Sequence, residues 1–150
     1  MNIVQKSFND FMKDLGFQKK AGSWYRSTAE SIVVVELQKS QYGHQYYVNL
    51  AAWLLAIGDA TFPKENACHI RLRLSMLLSS EEQDMLSDLL DLDVQMSEES
   101  RAEGLSRILE LRLAPAVESL STTSGLKSPS GAHLVSRALV DGDASEILDL

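Results

Sequence analysis

The sequence predicts an α+β fold: an N-terminal helix, an antiparallel meander of about five strands, then three to four C-terminal helices packed on one face of the sheet. Three observations predict it. Residues 31–39 (SIVVVELQK) and 45–55 (QYYVNLAAWLL) are rich in β-branched and aromatic residues and flank a short glycine-containing turn, the pattern of a long hairpin. Residues 67–74 alternate cleanly, with Ile70, Leu72 and Leu74 against His69, Arg71 and Arg73. Apolar residues at both ends of the chain recur at helical rather than strand spacing.

Residues 3–15 open the chain as an amphipathic helix, with Val4, Phe8, Phe11, Met12 and Leu15 on one side and Lys6, Asn9, Asp10, Lys13 and Asp14 on the other. Gly16 is its C′ residue, and Phe17 packs back on the last turn. Two short strands, 17–20 and 23–27, follow around Gly22. In the central hairpin, Val33, Val35 and Leu37 share one face, as do Tyr46, Val48, Leu50, Ala52 and Leu54. Gly43 is expected to supply the reversal between the two strands. Both faces of the second strand turn apolar towards Leu55, so its end is expected to be buried on both sides. A loop with Pro63 leads to the fifth strand, 67–74. Leu37, Val48, Leu50, Ile70 and Leu72 are expected in one core with Phe8, Phe11 and Leu15, which places the first helix on the helix-covered face.

The helical half begins with Ser79-Ser80-Glu81-Glu82, a capping box, and an apolar stripe of Met85, Leu86, Leu89 and Leu90. Ser97-Glu98-Glu99 starts a second helix, its acidic first turn suiting the dipole. Its stripe is Leu105, Ile108, Leu109, Leu113, Ala116, Val117 and Leu120, and Pro115 should kink or split it. Residues 122–127 read as a turn. Ser128-Pro129 then starts a helix through 132–140 that stops at Gly142, and 143–150 read as a frayed last turn. The chain reads as one domain over 1–150: helix and sheet in 1–78, an acidic helical cover in 79–150.

Composition narrows the function classes. The 150 residues carry a net charge of −7, distributed as +3 over 1–78, −8 over 79–110 and −2 over 111–150. So acidic a block repels phosphate backbones and excludes nucleic acid as its partner; it suits a basic protein, or simply a solvated face. No apolar run is long enough to cross a membrane, and the N-terminus lacks a secretory pattern. Cys68 is the only cysteine. The sequence reading is therefore a cytoplasmic protein, monomer or homodimer, with no membrane partner. No metal and no cofactor is expected: adjacent strand residues Cys68 and His69 point to opposite faces, and no phosphate loop or nucleophile motif is present.

Two sets of residues are candidates for a site. The first is the polar sheet face, Gln38, Tyr47, Asn49, His69, Arg71 and Arg73, which could hold an anion, with His69 as a base; the alternative is a solvated face with cross-strand pairs such as Glu36 with an arginine. The second is a partner-binding set. It comprises Glu81, Asp84 and Asp88 on one side of the first acidic helix, opposite Met85 and Leu89, and Tyr42 and His44 at the hairpin turn. Tyr42 either projects as an anchor or folds back to cap the hairpin.

Five segments in order resemble a family of bacterial domains known as domain of unknown function 4304. They are the opening helix; Gly16-Phe17 with Lys19-Lys20; Trp24-Tyr25-Arg26; Leu37-Gln38-Lys39-Ser40 with Tyr42-Gly43 and Tyr46-Tyr47-Val48-Asn49-Leu50; and 68–74, CHIRLRL. The resemblance spans about residues 5–75, and the acidic helical half is similar only in helix length. It implies a compact single domain and, for some members, immunity against bacterial toxins; it carries over no catalytic residue. With the acidic block, it leads to a non-catalytic protein-binding module, an immunity protein that neutralises a cognate toxin with a basic surface. The alternative is a small-ligand binder or enzyme using the face around His69, Arg71 and Arg73.

Overall fold

The structure is a computed structural model that describes residues 1–150. The first helix, α1 (Ile3–Asp14), is closed at its N-terminus by a capping box between Asn2 and Gln5. At its other end Gly16 takes φ +84°, and the Phe17 N–H donates to the Met12 carbonyl. Strands β1 (Gln18–Lys20) and β2 (Ser23–Ser27) are joined by Ala21 and Gly22, both at positive φ, the conformation that matches the twist of a two-residue hairpin. Strands β3 (Ser31–Lys39) and β4 (Tyr46–Leu54) form the long hairpin, with Val35 opposite Leu50 and Glu36 opposite Asn49. Gly43 does not adopt a positive φ, contrary to expectation, because the loop it sits in is long enough to reverse without a left-handed residue.

Strand β5 (Ile70–Arg73) is shorter than the sequence suggested. Residues Glu65–Ala67 form a 3-10 turn ahead of it, and Leu74–Leu77 form another behind it. The helical half then follows: α2 (Ser80–Leu89), α3 (Glu98–Ile108), a π-helical turn at Leu109–Leu113, and α4 (Ala114–Ser121). The split falls where Pro115 removes a backbone donor, and the wide turn keeps the apolar stripe from Leu105 to Leu120 buried on both sides of it.

The C-terminus differs most from the sequence reading. The expected turn at 122–127 is a capped helix, α5 (Thr123–Lys127). The expected helix to 140 stops early as α6 (Pro129–Ser136), and Leu139–Val140 form β6, paired antiparallel with β5. Gly142 begins a helix instead of ending one: α7 (Gly142–Ile147) is capped by the Asp141 side chain. The sheet therefore has six antiparallel strands in sequence order, β1 to β6.

One face of this sheet packs on the helices. Val35, Val48, Leu50, Ile70 and Leu72 join Val4, Phe8, Met12 and the α3–α4 stripe in a core of 31 buried residues. Leu37, Phe11 and Leu15 sit at its edge, only partly buried. Trp24 meets Phe8 edge-on at 5.0 Å and donates its indole N–H to Asn9. The end of α4 is tied to the β2–β3 turn, where the Thr28 and Ser31 hydroxyls donate to the Ser121 carbonyl at 2.6 and 2.9 Å. The opposite face carries a small cluster, Ile32, Val34, Ala51 and Cys68, under the 55–68 loop.

Candidate functional site

On the second sheet face, register places Gln38, Asn49 and Arg73 side by side: β3 pairs Gln38 with Tyr47 and Glu36 with Asn49, and β4 pairs Asn49 with Arg73. Asn49 is the hub. Its amide N–H groups donate to Glu36 Oε1 and Gln38 Oε1, both at 2.9 Å, and its Oδ1 accepts from Arg73 Nε at 3.2 Å. Arg73 also donates Nη2 to Gln38 Oε1, and its guanidinium lies 4.3 Å over the Tyr47 ring. Arg71 forks onto Glu65, Nε to Oε1 at 3.1 Å and Nη2 to Oε2 at 3.3 Å. Gln38, Asn49, Glu65, Arg71 and Arg73 line an open cleft of about 330 Å³, completed by Met76, Arg137 and Leu139, while Glu36 and Tyr47 stand behind them.

Five of the six candidates on this face thus come together. His69 does not join them: it is buried, its ring 4.3 Å from the Trp53 ring, and its Nδ1 accepts the Leu54 N–H at 2.9 Å. That lone pair is committed to the backbone, so His69 is no outward-facing base. The strand alternation put it on the correct face, but the 55–68 loop folds over that end of the face. Glu36 differs from expectation too, since its partner is Asn49 and not an arginine. Burial pushes the Cys68 thiol up to about 12, which leaves it a packing residue without thiolate character. No three His, Cys, Asp or Glu side chains are grouped to hold a metal ion.

The hairpin turn and the acidic helix, read from sequence as two separate surfaces, form one. The Tyr46 N–H donates to the Leu90 carbonyl and the Leu92 N–H to the His44 carbonyl. Gln45 Nε2 donates to the Ser87 carbonyl, and His44 Nδ1 lies 2.9 Å from Asp93 Oδ1. Tyr42 projects with 95% of its surface exposed and does not fold back. Glu81, Asp84 and Asp88 are exposed on the outer face of α2. Met85 is exposed among them at 54%, not on the core side; the i, i+4, i+7 spacing of 81, 85 and 88 puts it there, while Leu86, Leu89 and Leu90 face inward.

Two charged residues hold this surface in shape. Glu82 accepts from Arg112 Nε and Nη2 at 2.8 and 2.9 Å; with the Ser79 N–H, that guanidinium holds the carboxyl down at about 2. Arg101 is 3% exposed and donates to the carbonyls of Asp88, Leu89, Asp91 and Val94, closing the C-terminal end of α2.

The family described as Domain of unknown function (DUF4304) matches residues 8–118. The chain belongs to that family. No curated protein and no solved structure matches the chain. The DUF4304 match extends well past the 5–75 span of the sequence resemblance and takes in α2, α3 and most of α4. Tyr42, His44, the acidic face of α2 and the Asn49 hub therefore lie within the DUF4304 region. Arg137 and Leu139, the far wall of the cleft, lie outside it.

Sequence reasoning missed Arg101, although a signal was present: it falls in helical register with Leu105 and Ile108, a position an apolar stripe would fill. It also missed Glu65, Met76, Arg137 and Leu139. Nothing local marks them: Arg137 and Leu139 reach the cleft through the docking of β6 on β5, and Glu65 and Met76 through the 3-10 turns on either side of β5.

Proposed function

We propose that this chain is a non-catalytic protein-binding module, an immunity protein that neutralises a bacterial toxin with a basic surface in the cytoplasm of the cell that makes both. The observation that carries the reading is the continuous surface made of Tyr42, the His44–Asp93 pair and the outer face of α2. A projecting aromatic at a braced turn is the side chain that fills a partner's pocket at low entropic cost. The acidic residues beside it steer a basic protein into place and reject acidic ones. Anchoring of the turn to 90–94 keeps the two parts in fixed relation, so little ordering remains for the moment of binding.

The test is calorimetric titration against the toxin encoded beside this gene, at two ionic strengths. Each of Glu81→Lys, Asp84→Lys and Asp88→Lys should weaken binding modestly, because isolated rim charges contribute below about 1 kcal/mol. The triple reversal should weaken it far more, by placing like charges against the partner. Tyr42→Ala should cost about 2 kcal/mol or more. Full affinity in both the triple variant and Tyr42→Ala, with the fold intact, overturns the reading.

A further inference from the structure

We propose that the cleft between the polar sheet face and the β6 edge binds a small organic anion, a carboxylate or phosphate carrying an apolar group. Three guanidinium groups, Arg71, Arg73 and Arg137, line it, against one carboxylate, Glu65. Glu65 is fully engaged by the fork from Arg71. Arg73 and Arg137 have no carboxylate partner. Their protein acceptors are all neutral oxygens: Asn49 Oδ1 and Gln38 Oε1 for Arg73, and the Met76 carbonyl for Arg137 at 3.3 Å. Glu36, the other acid of the Asn49 network, does not line the cleft. The lining is thus positive in a chain whose net charge is −7.

The arrangement is built and not incidental. Asn49, only 8% exposed, spends both amide hydrogens and its oxygen on holding Gln38, Glu36 and Arg73 in register. The Tyr47 ring supports the Arg73 guanidinium from one side. An arginine fixed through neutral partners keeps its charge and its remaining N–H groups for an anion, and its planar fork suits a carboxylate or a phosphate. Met76 and Leu139, both exposed, form the rim and supply contact for an apolar group. The volume, about 330 Å³, matches a small-molecule site. The proposal is independent of any protein partner, and its readout is the binding of small anions alone.

The experiment titrates the full chain with phenyl phosphate, benzoate, inorganic phosphate and neutral benzamide, followed by amide chemical shifts and calorimetry at low ionic strength. Phenyl phosphate or benzoate should saturate, perturbing the amides of Arg73 and Leu139, and whichever binds tighter identifies the headgroup. Inorganic phosphate should bind more weakly than phenyl phosphate. Arg73→Gln and Arg137→Gln should each weaken binding about tenfold. Arg73→Lys, which keeps the charge and loses the fork, should also weaken it. Arg137 lies on the surface, so its variant tests the site even where Arg73→Gln disturbs the sheet. The proposal is overturned if neither aromatic anion saturates, if benzamide binds as tightly as benzoate, or if an Arg137→Gln chain with an unchanged melting transition binds like the wild type.

Discussion

The two faces of the sheet alternate residue by residue along the same strands, yet they are built for different ends. Val33, Val35, Leu50 and Ile70 look into a core of 31 buried residues sealed by helices. Their neighbours Ile32, Val34 and Ala51 look into a cluster of four under one loop, and further along the strands that apolar cover gives way to the Asn49 network and the arginine cleft. The difference teaches where this chain holds its stability and where it can hold chemistry. A side chain sealed on all sides is fixed by packing, and its loss leaves a cavity. A polar side chain on an open face is fixed only by its hydrogen bonds, so it can be exchanged for a ligand's.

Four substitutions sharpen or break that contrast. Leu50→Ala, on the sealed face, is expected to cost about 2–5 kcal/mol in denaturant unfolding. Ile32→Ala, on the loop-covered face, should fall near or below the lower end of that range, about 2 kcal/mol, because the loop can settle into the space. Equal losses at the two positions would mean that the loop is as rigid a cover as the helices. Asn49→Ala should cost about 1 kcal/mol, since the groups it frees can reach water. A loss as large as that of Leu50→Ala would make the polar network part of the core.

The fourth substitution concerns pH. Arg112 and the Ser79 N–H hold the Glu82 carboxyl at about 2, against an ordinary value of 4.5. A carboxyl whose folded-state value is depressed stabilises the fold above its unfolded value, and that contribution disappears as pH falls through the folded one. The stability difference between the wild type and Glu82→Gln should therefore be present above pH 4.5 and fade towards pH 2. The pair joins α2 to the turn before α4, so the helical layer has an acid-sensitive latch. Unfolding midpoints measured across that range give the check; a difference that does not change with pH would remove the latch.

Much of this was legible in the sequence. The bounds of β3, the capping box at Ser79, the stripe from Leu105 to Leu120 and the break at Pro115 were all read correctly, because each depends on residues within a few positions of one another. The same holds for the shared face of Gln38, Tyr47, Asn49, Arg71 and Arg73, which follows from the two-residue period of a strand and an antiparallel meander. Even Met85 was accessible to that reasoning, and its placement on the core side of α2 was a misjudged phase of the helix.

What the tertiary structure alone decided are contacts between residues far apart in the chain. His69 has the period of an exposed strand residue, and it is buried against Trp53, whose indole N–H is held by the Gly58 carbonyl of the 55–68 loop. His44 meets Asp93, and the hairpin turn becomes part of the acidic surface, because backbone hydrogen bonds tie Tyr46 to Leu90 and His44 to Leu92, next to the carbonyls that Arg101 of α3 gathers at the end of α2. Leu139 and Arg137 reach the cleft because two residues after α6 pair with β5 instead of extending the helix. Local periodicity is set by backbone geometry and can be read along a chain. Which faces then meet is set by how the whole apolar surface closes, and that depends on every element at once.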